Sequence, residues 1–226
     1  MKIEIRLTSL FLISYCSIIL RTDALANLSS NMPKKPATFV TNKMCPFAQK
    51  CWSALEASHM PYELKEIGLY GAGGKPNWFL KLNPKGTVPV LEVSGESSPT
   101  VYPDSEMILD YINSNTDLKS PEKDEDIQKW RNIVSNQIIP IGKRAVLGGG
   151  REQLDELLHE IDGEVEGPFL CGDAVTVADC AAFPFVWRIN DEFGLDDDSK
   201  LKQWLSICVE TDCFKKTIRQ SWWWWW

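Results

Sequence analysis

A cysteine followed by a proline stands at positions 45–46, between an apolar segment and a segment with helical periodicity. The apolar run at 37–41 predicts a short buried strand, and the helical periodicity at 45–58 predicts an amphipathic helix after a turn. Pro46 falls at the first helical position, where its missing N–H costs nothing and its fixed φ suits the helix. This part of the chain is therefore expected to adopt an α/β fold with Cys45 at the carboxyl end of a strand.

The rest of the first half continues the alternation of strands and helices. Four glycines between 68 and 76 predict a flexible loop. Further elements are predicted as strands at 62–67, 88–93 and 100–102 and as helices at 77–82 and 105–113. A parallel βαβ unit followed by an antiparallel hairpin and a helix is the thioredoxin-like arrangement, βαβαββα. Ligands bind at the carboxyl edge of such open sheets, which is where Cys45 is expected.

The second half has only helical patterns. A polar segment at 115–126 is predicted to be a linker. Helices are predicted at 127–146, 151–161, 176–190 and 200–210, with glycines 148–150 ending the first of them. Thr176 and Asp179 match a capping box, which is a structural motif. The fold class is therefore an N-terminal α/β thioredoxin-like domain at 36–114 followed by an all-α helical domain at 127–220.

The first 26 residues have the three-part pattern of a secretory signal peptide. Lys2 and Arg6 precede an apolar run at 7–20, and small residues follow at 24–26. An uncleaved membrane anchor is the alternative, but a run of about 14 residues is shorter than the roughly 20 needed to span a bilayer. We therefore expect a signal peptide at 1–26, which leads the chain into the secretory pathway or an organelle.

The mature chain is expected to begin at Asn27, which also opens a glycosylation sequon. Translation from Met32 would instead give a cytoplasmic protein without the leader. A run of five tryptophans ends the sequence at 222–226. We interpret residues 221–226 as a low-complexity tail, with anchoring in a membrane interface or an apolar groove as the alternative.

Charge and cysteine spacing exclude two classes of function. The formal net charge of −7 and the pI near 5.0 argue against a nucleic-acid partner, because phosphate binding needs clustered Lys and Arg. The seven cysteines are spread over the chain without CxxC or Cys/His metal spacing. No metal site is predicted.

Cys45 is the candidate nucleophile. Exposed N–H groups at a helix N-terminus stabilise a thiolate and are expected to lower its pKa, and Lys43 adds positive charge. Position 48 is Ala, so no resolving thiol follows three residues on, and the partner is expected to be an external thiol. The alternative is a buried structural cysteine. Cys51 lies too far along the helix to bond to Cys45 and is expected in the core.

Two further segments have more than one interpretation. A proline inside the apolar run at Val88-Pro89 fits a cis peptide that exposes the Val88 backbone to an extended peptide ligand. An ordinary edge-strand proline is the alternative. Asp104-Ser105 opens a helix and could hold an amino-acid headgroup, although a plain N-cap explains the same residues.

Together these segments resemble the cysteine-type glutathione transferases, specifically the omega class and the plant dehydroascorbate reductases. The resemblance covers about 38–189. It rests on the catalytic turn at 45–48, the start of the second helix at 75–79, the cis-proline segment at 83–91, Asp104-Ser105, and the helical segment at 183–188. More glycine at 70–74 than in the family, and a helical domain that gives way to tryptophans after Gln220, are departures from the pattern.

The resemblance implies a role for each matching residue. Cys45 would form a mixed disulfide with glutathione, Phe47 would line the site, and Lys75 would bind the glycine carboxylate of the tripeptide. Val88, which precedes Pro89, would pair with the cysteinyl backbone of glutathione. Asp104 and Ser105 would hold the γ-glutamyl group, and Trp187 and Arg188 are candidates for the acceptor site.

The expected function is that of an enzyme, a glutathione-dependent thioltransferase with dehydroascorbate reductase activity. Its co-substrate would be glutathione, its second substrate a small oxidised or electrophilic molecule, and its assembly a homodimer. The alternative is a non-catalytic or membrane-associating module resembling the intracellular chloride channel proteins, which share the Cys-Pro-Phe turn. Lys50, Glu56 and His59 make the first helix amphipathic, which favours the enzyme.

Overall fold

The computed structural model describes residues 35–68, 74–95, 98–118 and 120–219. The predicted signal peptide, the Asn27 sequon, the start at Met32, loop residues 70–73 and the tryptophan tail lie outside these ranges. The first domain contains strands and helices in the order β1 (Ala37–Thr41), α1 (Pro46–Ala57), β2 (Tyr62–Glu66), α2 (Asn77–Leu82), β3 (Val90–Val93), β4 (Thr100–Tyr102) and α3 (Ser105–Asn115). This order confirms the predicted thioredoxin-like arrangement.

The four strands form one sheet in the order β2-β1-β3-β4. Strand β2 is parallel to β1, whereas β3 is antiparallel to both β1 and β4. In this register Val40 pairs with Val90, and Leu91 pairs with Tyr102. The end of β1, the start of β3 and the end of β4 therefore lie at one edge of the sheet, where the predicted site residues follow in the sequence.

The second domain is helical, as predicted. After a single 3₁₀ turn it contains α4 (Asp124–Ile133), a π-helical turn (Val134–Ile138), α5 (Ile139–Val146), α6 (Arg151–Asp162), α7 (Val177–Phe193), α8 (Lys200–Glu210) and α9 (Asp212–Lys215). The sequence predicted one continuous helix at 127–146. Pro140 explains the interruption, because it lacks an N–H and its ring crowds the carbonyl of Asn136, so the turn widens.

Helix α7 forms the centre of the helical domain. Most of its residues are buried, and Thr176 and Asp179 form the predicted capping box. The Asp179 carboxylate also accepts hydrogen bonds from the Leu170 N–H at 2.8 Å and the Trp204 indole at 2.9 Å. The start of α7 is therefore fixed to two neighbouring segments.

Helix α1 lies between the sheet and the helical domain. It packs against α3 of its own domain and against α7 and α9 of the other. The ring centroids of Phe47 and Phe185 lie 5.3 Å apart in an edge-to-face contact across this boundary. The turn that carries Cys45 is consequently positioned by both domains.

Within the four described ranges, no helix is both long and apolar enough to cross a membrane. In the same ranges, no group of His, Cys, Asp or Glu side chains could hold a metal ion.

Candidate active site

Cys45 occupies the N-cap position of α1 and is partly exposed. Its N–H donates to the Asn42 carbonyl at 3.0 Å, and its own carbonyl accepts from the N–H of Gln49 at 2.9 Å. The Asn42 side chain shapes the turn, because it accepts from the Met44 N–H and donates to the Ile67 carbonyl. The thiol is thus held at the end of β1 by a turn tied to β2.

Burial raises the pKa of the Cys45 thiol above its ordinary value. The N–H groups of Ala48 and Phe47 lower the pKa, as expected at a helix N-terminus, and so do the charges of Arg188 and Lys50. These effects are smaller than that of burial. The expectation of a lowered pKa is therefore wrong, because burial of the thiol outweighs the helix N-terminus, and the sequence did not reveal that burial.

The Val88-Pro89 peptide is cis, as predicted, and β3 begins only at Val90. Among the described residues, the N–H and C=O of Val88 have no hydrogen-bond partner. Asn83 supports this segment, since its side chain donates to the Thr87 carbonyl at 2.8 Å. The Val88 backbone is therefore free to pair with an extended ligand beside the end of β1.

Lys75 lies against the same segment. A Cβ atom at Gly86, whose φ is +64°, would stand 3.0 Å from Cδ and 3.2 Å from Nζ of Lys75. Glycine is needed here both for the positive φ and for the space that the lysine occupies. The structure thus brings Lys75 close to the cis-proline segment, and its binding of a glycine carboxylate stays a prediction.

Asp104 and Ser105 lie at the start of α3, at the same sheet edge. The Asp104 carboxylate accepts a hydrogen bond from the Glu106 N–H at 2.8 Å, which is the N-cap geometry. The Ser105 hydroxyl makes no hydrogen bond within the described residues, while the Ser105 carbonyl accepts from the Cys51 thiol at 3.4 Å. The N-cap interpretation is confirmed for Asp104, and binding of an amino-acid headgroup stays a prediction.

The remaining predicted residues lie on the helical-domain side of Cys45. Phe47 packs on Phe185, and Trp187 stacks on Phe183. Arg188 is buried and points into the turn that carries Cys45, where it donates to the Gln49 side chain at 2.7 Å and to the Met44 carbonyl at 3.4 Å. Arg188 therefore contacts the turn of the candidate nucleophile, and its role in the acceptor site stays a prediction.

Sequence reasoning counted Lys50 among the residues that make α1 amphipathic and missed the buried polar contacts of this helix. Lys50 is buried and pairs with Glu106, which also accepts from Arg131 at 2.7 Å. Gln49 donates to the Thr217 hydroxyl at 3.3 Å. Each of these partners is distant in the sequence, so local patterns did not predict the contacts. A Gln and a Lys at buried positions of an amphipathic helix were the signal that could have drawn attention to Gln49 and Lys50.

The arrangement combines a single thiol at a helix N-terminus with an unpaired backbone segment and a lysine at one sheet edge. Two family models match the chain: "Glutathione S-transferase, N-terminal domain" over residues 44–115 and "Glutathione S-transferase, C-terminal domain" over residues 134–205. The chain belongs to the glutathione S-transferase family.

The relatives of this chain include dehydroascorbate-reductase-type and omega-type proteins. The probable glutathione S-transferase DHAR2, chloroplastic, of Oryza sativa subsp. japonica is 28% identical over 187 residues, 77% of this chain and 65% of that protein. Glutathione S-transferase DHAR3, chloroplastic, of Arabidopsis thaliana is 31% identical over 169 residues, 71% of this chain and 61% of that protein. The chain thus spans somewhat less than two thirds of the length of these two relatives.

Solved structures show the same fold. The glutathione transferase Omega 3C from Trametes versicolor superimposes with a TM-score of 0.72 at 23% identity, over 88% of this chain and 96% of that one. The transferase fold, with its thioredoxin-like and helical domains, is therefore established for the described residues.

Proposed function

We propose that this transferase is a glutathione-dependent thiol-disulfide oxidoreductase in which Cys45 is the nucleophile. One observation carries the proposal: the thiol at the N-terminus of α1 is followed three residues on by Ala48, so the helix lacks a second cysteine in the resolving position. A site with one cysteine needs an external thiol to complete a redox cycle. Membership of the glutathione S-transferase family supports glutathione as that thiol.

The reaction proceeds in two exchange steps. The Cys45 thiolate attacks the glutathionyl sulfur of a mixed disulfide, the S–S bond breaks, and the acceptor leaves as a thiolate that takes up a proton. The thiolate of a second glutathione then attacks the Cys45-glutathione disulfide. Oxidised glutathione leaves, and the Cys45 thiolate is restored.

Four residues at the sheet edge are proposed to hold glutathione. Val88 would pair with the cysteinyl backbone, since its N–H and C=O have no partner among the described residues. Lys75 would bind the glycine carboxylate, and Asp104 with Ser105 would bind the γ-glutamyl group. Support comes from the register, which brings the segments carrying Val88 and Asp104 to the edge that carries Cys45.

Substitution of the nucleophile tests the proposal. We expect Cys45→Ser to lose the glutathione-dependent reduction of the mixed disulfide of glutathione and mercaptoethanol, because a serine hydroxyl cannot form the disulfide intermediate. Cys171→Ser is the matched control, because Cys171 is a buried free thiol in the loop before α7. This variant should keep the turnover of the unchanged chain. Undiminished turnover in Cys45→Ser would show that the proposal is wrong.

Dehydroascorbate is the proposed second substrate. The names of the two plant relatives support it. Two glutathione molecules would supply two electrons and two protons, giving ascorbate and one oxidised glutathione. The test is the rate of ascorbate formation by the full chain with and without Cys45→Ser. A chain that reduces the mixed disulfide but forms no ascorbate above the uncatalysed rate would exclude this substrate while leaving the thiol chemistry in place.

The alternative of a membrane-associating module gains no support from α1. Lys50 of this helix is buried against Glu106, and Glu56 pairs with Lys216 of the C-terminal segment at 2.9 Å. Release of the helix into a bilayer would break both ion pairs. Binding of the full chain to liposomes under reducing and oxidising conditions tests this alternative directly.

The assembly and the compartment are also proposals. We propose a homodimer that enters the secretory pathway, or an organelle reached through it, by way of the signal at 1–26. Light scattering tests the dimer, and the N-terminal sequence of the protein purified from its own cells tests the signal. A mature N-terminus at Met32 would instead indicate the cytoplasmic form.

A further inference from the structure

Three basic side chains are buried among the described residues: Lys50, Arg131 and Arg188. Two of them have carboxylate partners, since Lys50 pairs with Glu106, and Arg131 pairs with both Glu106 and Asp110. Arg188 has no carboxylate within ion-pair distance among the described residues. Buried charges are normally paired, so Arg188 is the exception.

The hydrogen bonds of Arg188 go to neutral oxygens. Its Nη1 donates to the Pro184 carbonyl and to Gln49 Oε1, both at 2.7 Å, and its Nη2 donates to the Met44 carbonyl at 3.4 Å. These bonds fix the guanidinium, and the centroid of the Trp187 ring lies 5.2 Å from it, but no carboxylate of the described residues pairs with its charge. Met44 directly precedes Cys45, so this unpaired charge lies at the turn that carries the proposed nucleophile.

Gln49 determines where the guanidinium points. Its amide nitrogen donates to Thr217 Oγ1 at 3.3 Å, and its amide oxygen accepts from Arg188. Gln49 is 2% exposed, and Thr217 is fully buried. The bond to Thr217 therefore keeps the amide oxygen turned toward Arg188.

The other charged groups near Cys45 are paired with a carboxylate or lie on the surface, and of these Lys50 also lowers the pKa of Cys45. Lys50 of α1 pairs with Glu106 of α3, and Lys43 of the turn pairs with Glu66 of β2 at 2.8 Å. Asp104 caps α3 at its exposed end. Asp191 of α7 influences Arg188 over a longer distance without an ion pair.

We propose that Arg188 is a positioning residue of the active site, the buried countercharge of the Cys45 thiolate, and that Gln49, held by Thr217, aims it. The proposal rests on the proposed role of Cys45 as nucleophile. It replaces the acceptor-site role that the sequence suggested for Arg188. The mutual influence of the two groups agrees with it, since Arg188 lowers the pKa of Cys45, and the charge of Cys45 raises the pKa of Arg188, which burial lowers to about 10.

The test is the pH dependence of Cys45 alkylation by iodoacetamide in the full chain, followed at Cys45 by mass spectrometry. Arg188→Met should move the midpoint of this profile upward by about one pH unit or more, because an opposite charge nearby is removed. Arg188→Lys keeps the positive charge, so its midpoint should stay close to that of the unchanged chain. Neither measurement needs glutathione or turnover, so failure of this proposal and failure of the proposed function are distinguishable.

Gln49→Glu is a second variant for the same alkylation measurement, and it preserves the shape of the side chain. The new carboxylate would pair with the guanidinium and should move the midpoint upward in the same direction. Gln203→Glu is the matched control, because it makes the same charge change on the exposed face of α8 and should leave the midpoint in place. If Arg188→Met does not fold, Arg188→Gln, which removes the charge but keeps hydrogen-bond donors, decides the question in its place.

Midpoints for Arg188→Met and Gln49→Glu equal to that of the unchanged chain would overturn the proposal. The same conclusion would follow if Arg188→Met raised only the KM for the second substrate, since that result would indicate an acceptor site. A purely structural role would lower the thermal midpoint in these variants without moving the pH profile.

Discussion

Helix α1 has buried basic groups on two sides, and these groups have carboxylate partners on one side but not on the other. On one side is the paired cluster, formed by Lys50, Glu106, Arg131 and Asp110, in which each basic group has a carboxylate. On the other side is the unpaired contact, in which Arg188 has no carboxylate partner and donates to the oxygens of Gln49, Met44 and Pro184. Gln49 and Lys50 are adjacent in the sequence and point in directions about 100° apart on the helix.

The comparison separates two uses of a buried cation. The paired cluster ties α1 to α3 and α4, and its charges cancel within the protein. The unpaired contact ties α1 to α7 and leaves a positive charge beside the turn of Cys45. Disruption of the paired cluster should therefore reduce stability, whereas disruption of the unpaired contact should change the thiol more than the fold.

The largest effect on stability is expected from Glu106→Gln. This change leaves Lys50 and Arg131 buried, with only Asp110 as a charged partner of Arg131. Removal of one partner of a fully buried pair costs about 3–5 kcal/mol, and because Glu106 is 38% exposed we expect a smaller loss of about 2–3 kcal/mol in the free energy of unfolding. Urea denaturation followed by circular dichroism measures this loss.

Asp110→Asn is the matched control for the paired cluster. Asp110 is 62% exposed, and Arg131 keeps Glu106 when Asp110 is neutralised. Exposed ion pairs contribute about 0.2–1 kcal/mol, so the control should remain within that range. Equal losses in the two variants would show that Glu106 has no special position in the cluster.

The same cluster should make the free energy of unfolding decrease as the pH falls. Burial raises the pKa of Glu106, but Lys50 and Arg131 outweigh it, and the folded-state pKa lies below the ordinary value. A group with a lowered folded-state pKa contributes stability above its unfolded-state pKa and loses it as the pH falls through the folded-state value. Unfolding free energies measured from pH 6 down to pH 3 should therefore decline less steeply in Glu106→Gln than in the unchanged chain.

Sequence patterns were sufficient for the architecture and for the sheet edge. The strands at 37–41 and 100–102 have the predicted bounds, and the cis peptide at Val88-Pro89 is present. These features depend on local rules, such as apolar runs, a proline inside a strand pattern and a cysteine at a helix start. Alternating strands and helices with short connections then leave few topologies.

Sequence patterns were not sufficient for the electrostatics of the site. Gln49 and Arg188 are 139 residues apart, and Gln49 and Thr217 are 168 apart, so no local pattern connects them. The direction of the Cys45 pKa shift depends on burial of the thiol in the folded chain, which acts against the local effect of the helix N-terminus. The contact of Arg188 with the turn that carries Cys45 was missed for the same reason, because its side chain is held by Gln49 of α1.

A smaller effect is expected from Thr217→Val, which tests the unpaired contact from its far end. The isosteric change removes the acceptor of the Gln49 amide nitrogen and leaves that donor buried, at a cost of about 1 kcal/mol in the free energy of unfolding. The amide can then turn away from Arg188, so the alkylation midpoint of Cys45 should also rise, by less than in Gln49→Glu. A loss of stability without any change in the midpoint would show that Thr217 supports the fold but does not aim Arg188.

The smallest effect on stability is expected from Arg188→Met, although Arg188 is as buried as Arg131. Removal of an unpaired buried charge relieves its desolvation, while the oxygens of Gln49 and Met44 lose a donor. These contributions oppose each other, so the free energy of unfolding should change by no more than about 1 kcal/mol in either direction. Urea denaturation beside Glu106→Gln measures the contrast. A loss as large as that of Glu106→Gln would mean that both sides of α1 serve the fold, whereas a small loss combined with a shifted thiol profile would assign stability to the paired cluster and reactivity to the unpaired contact.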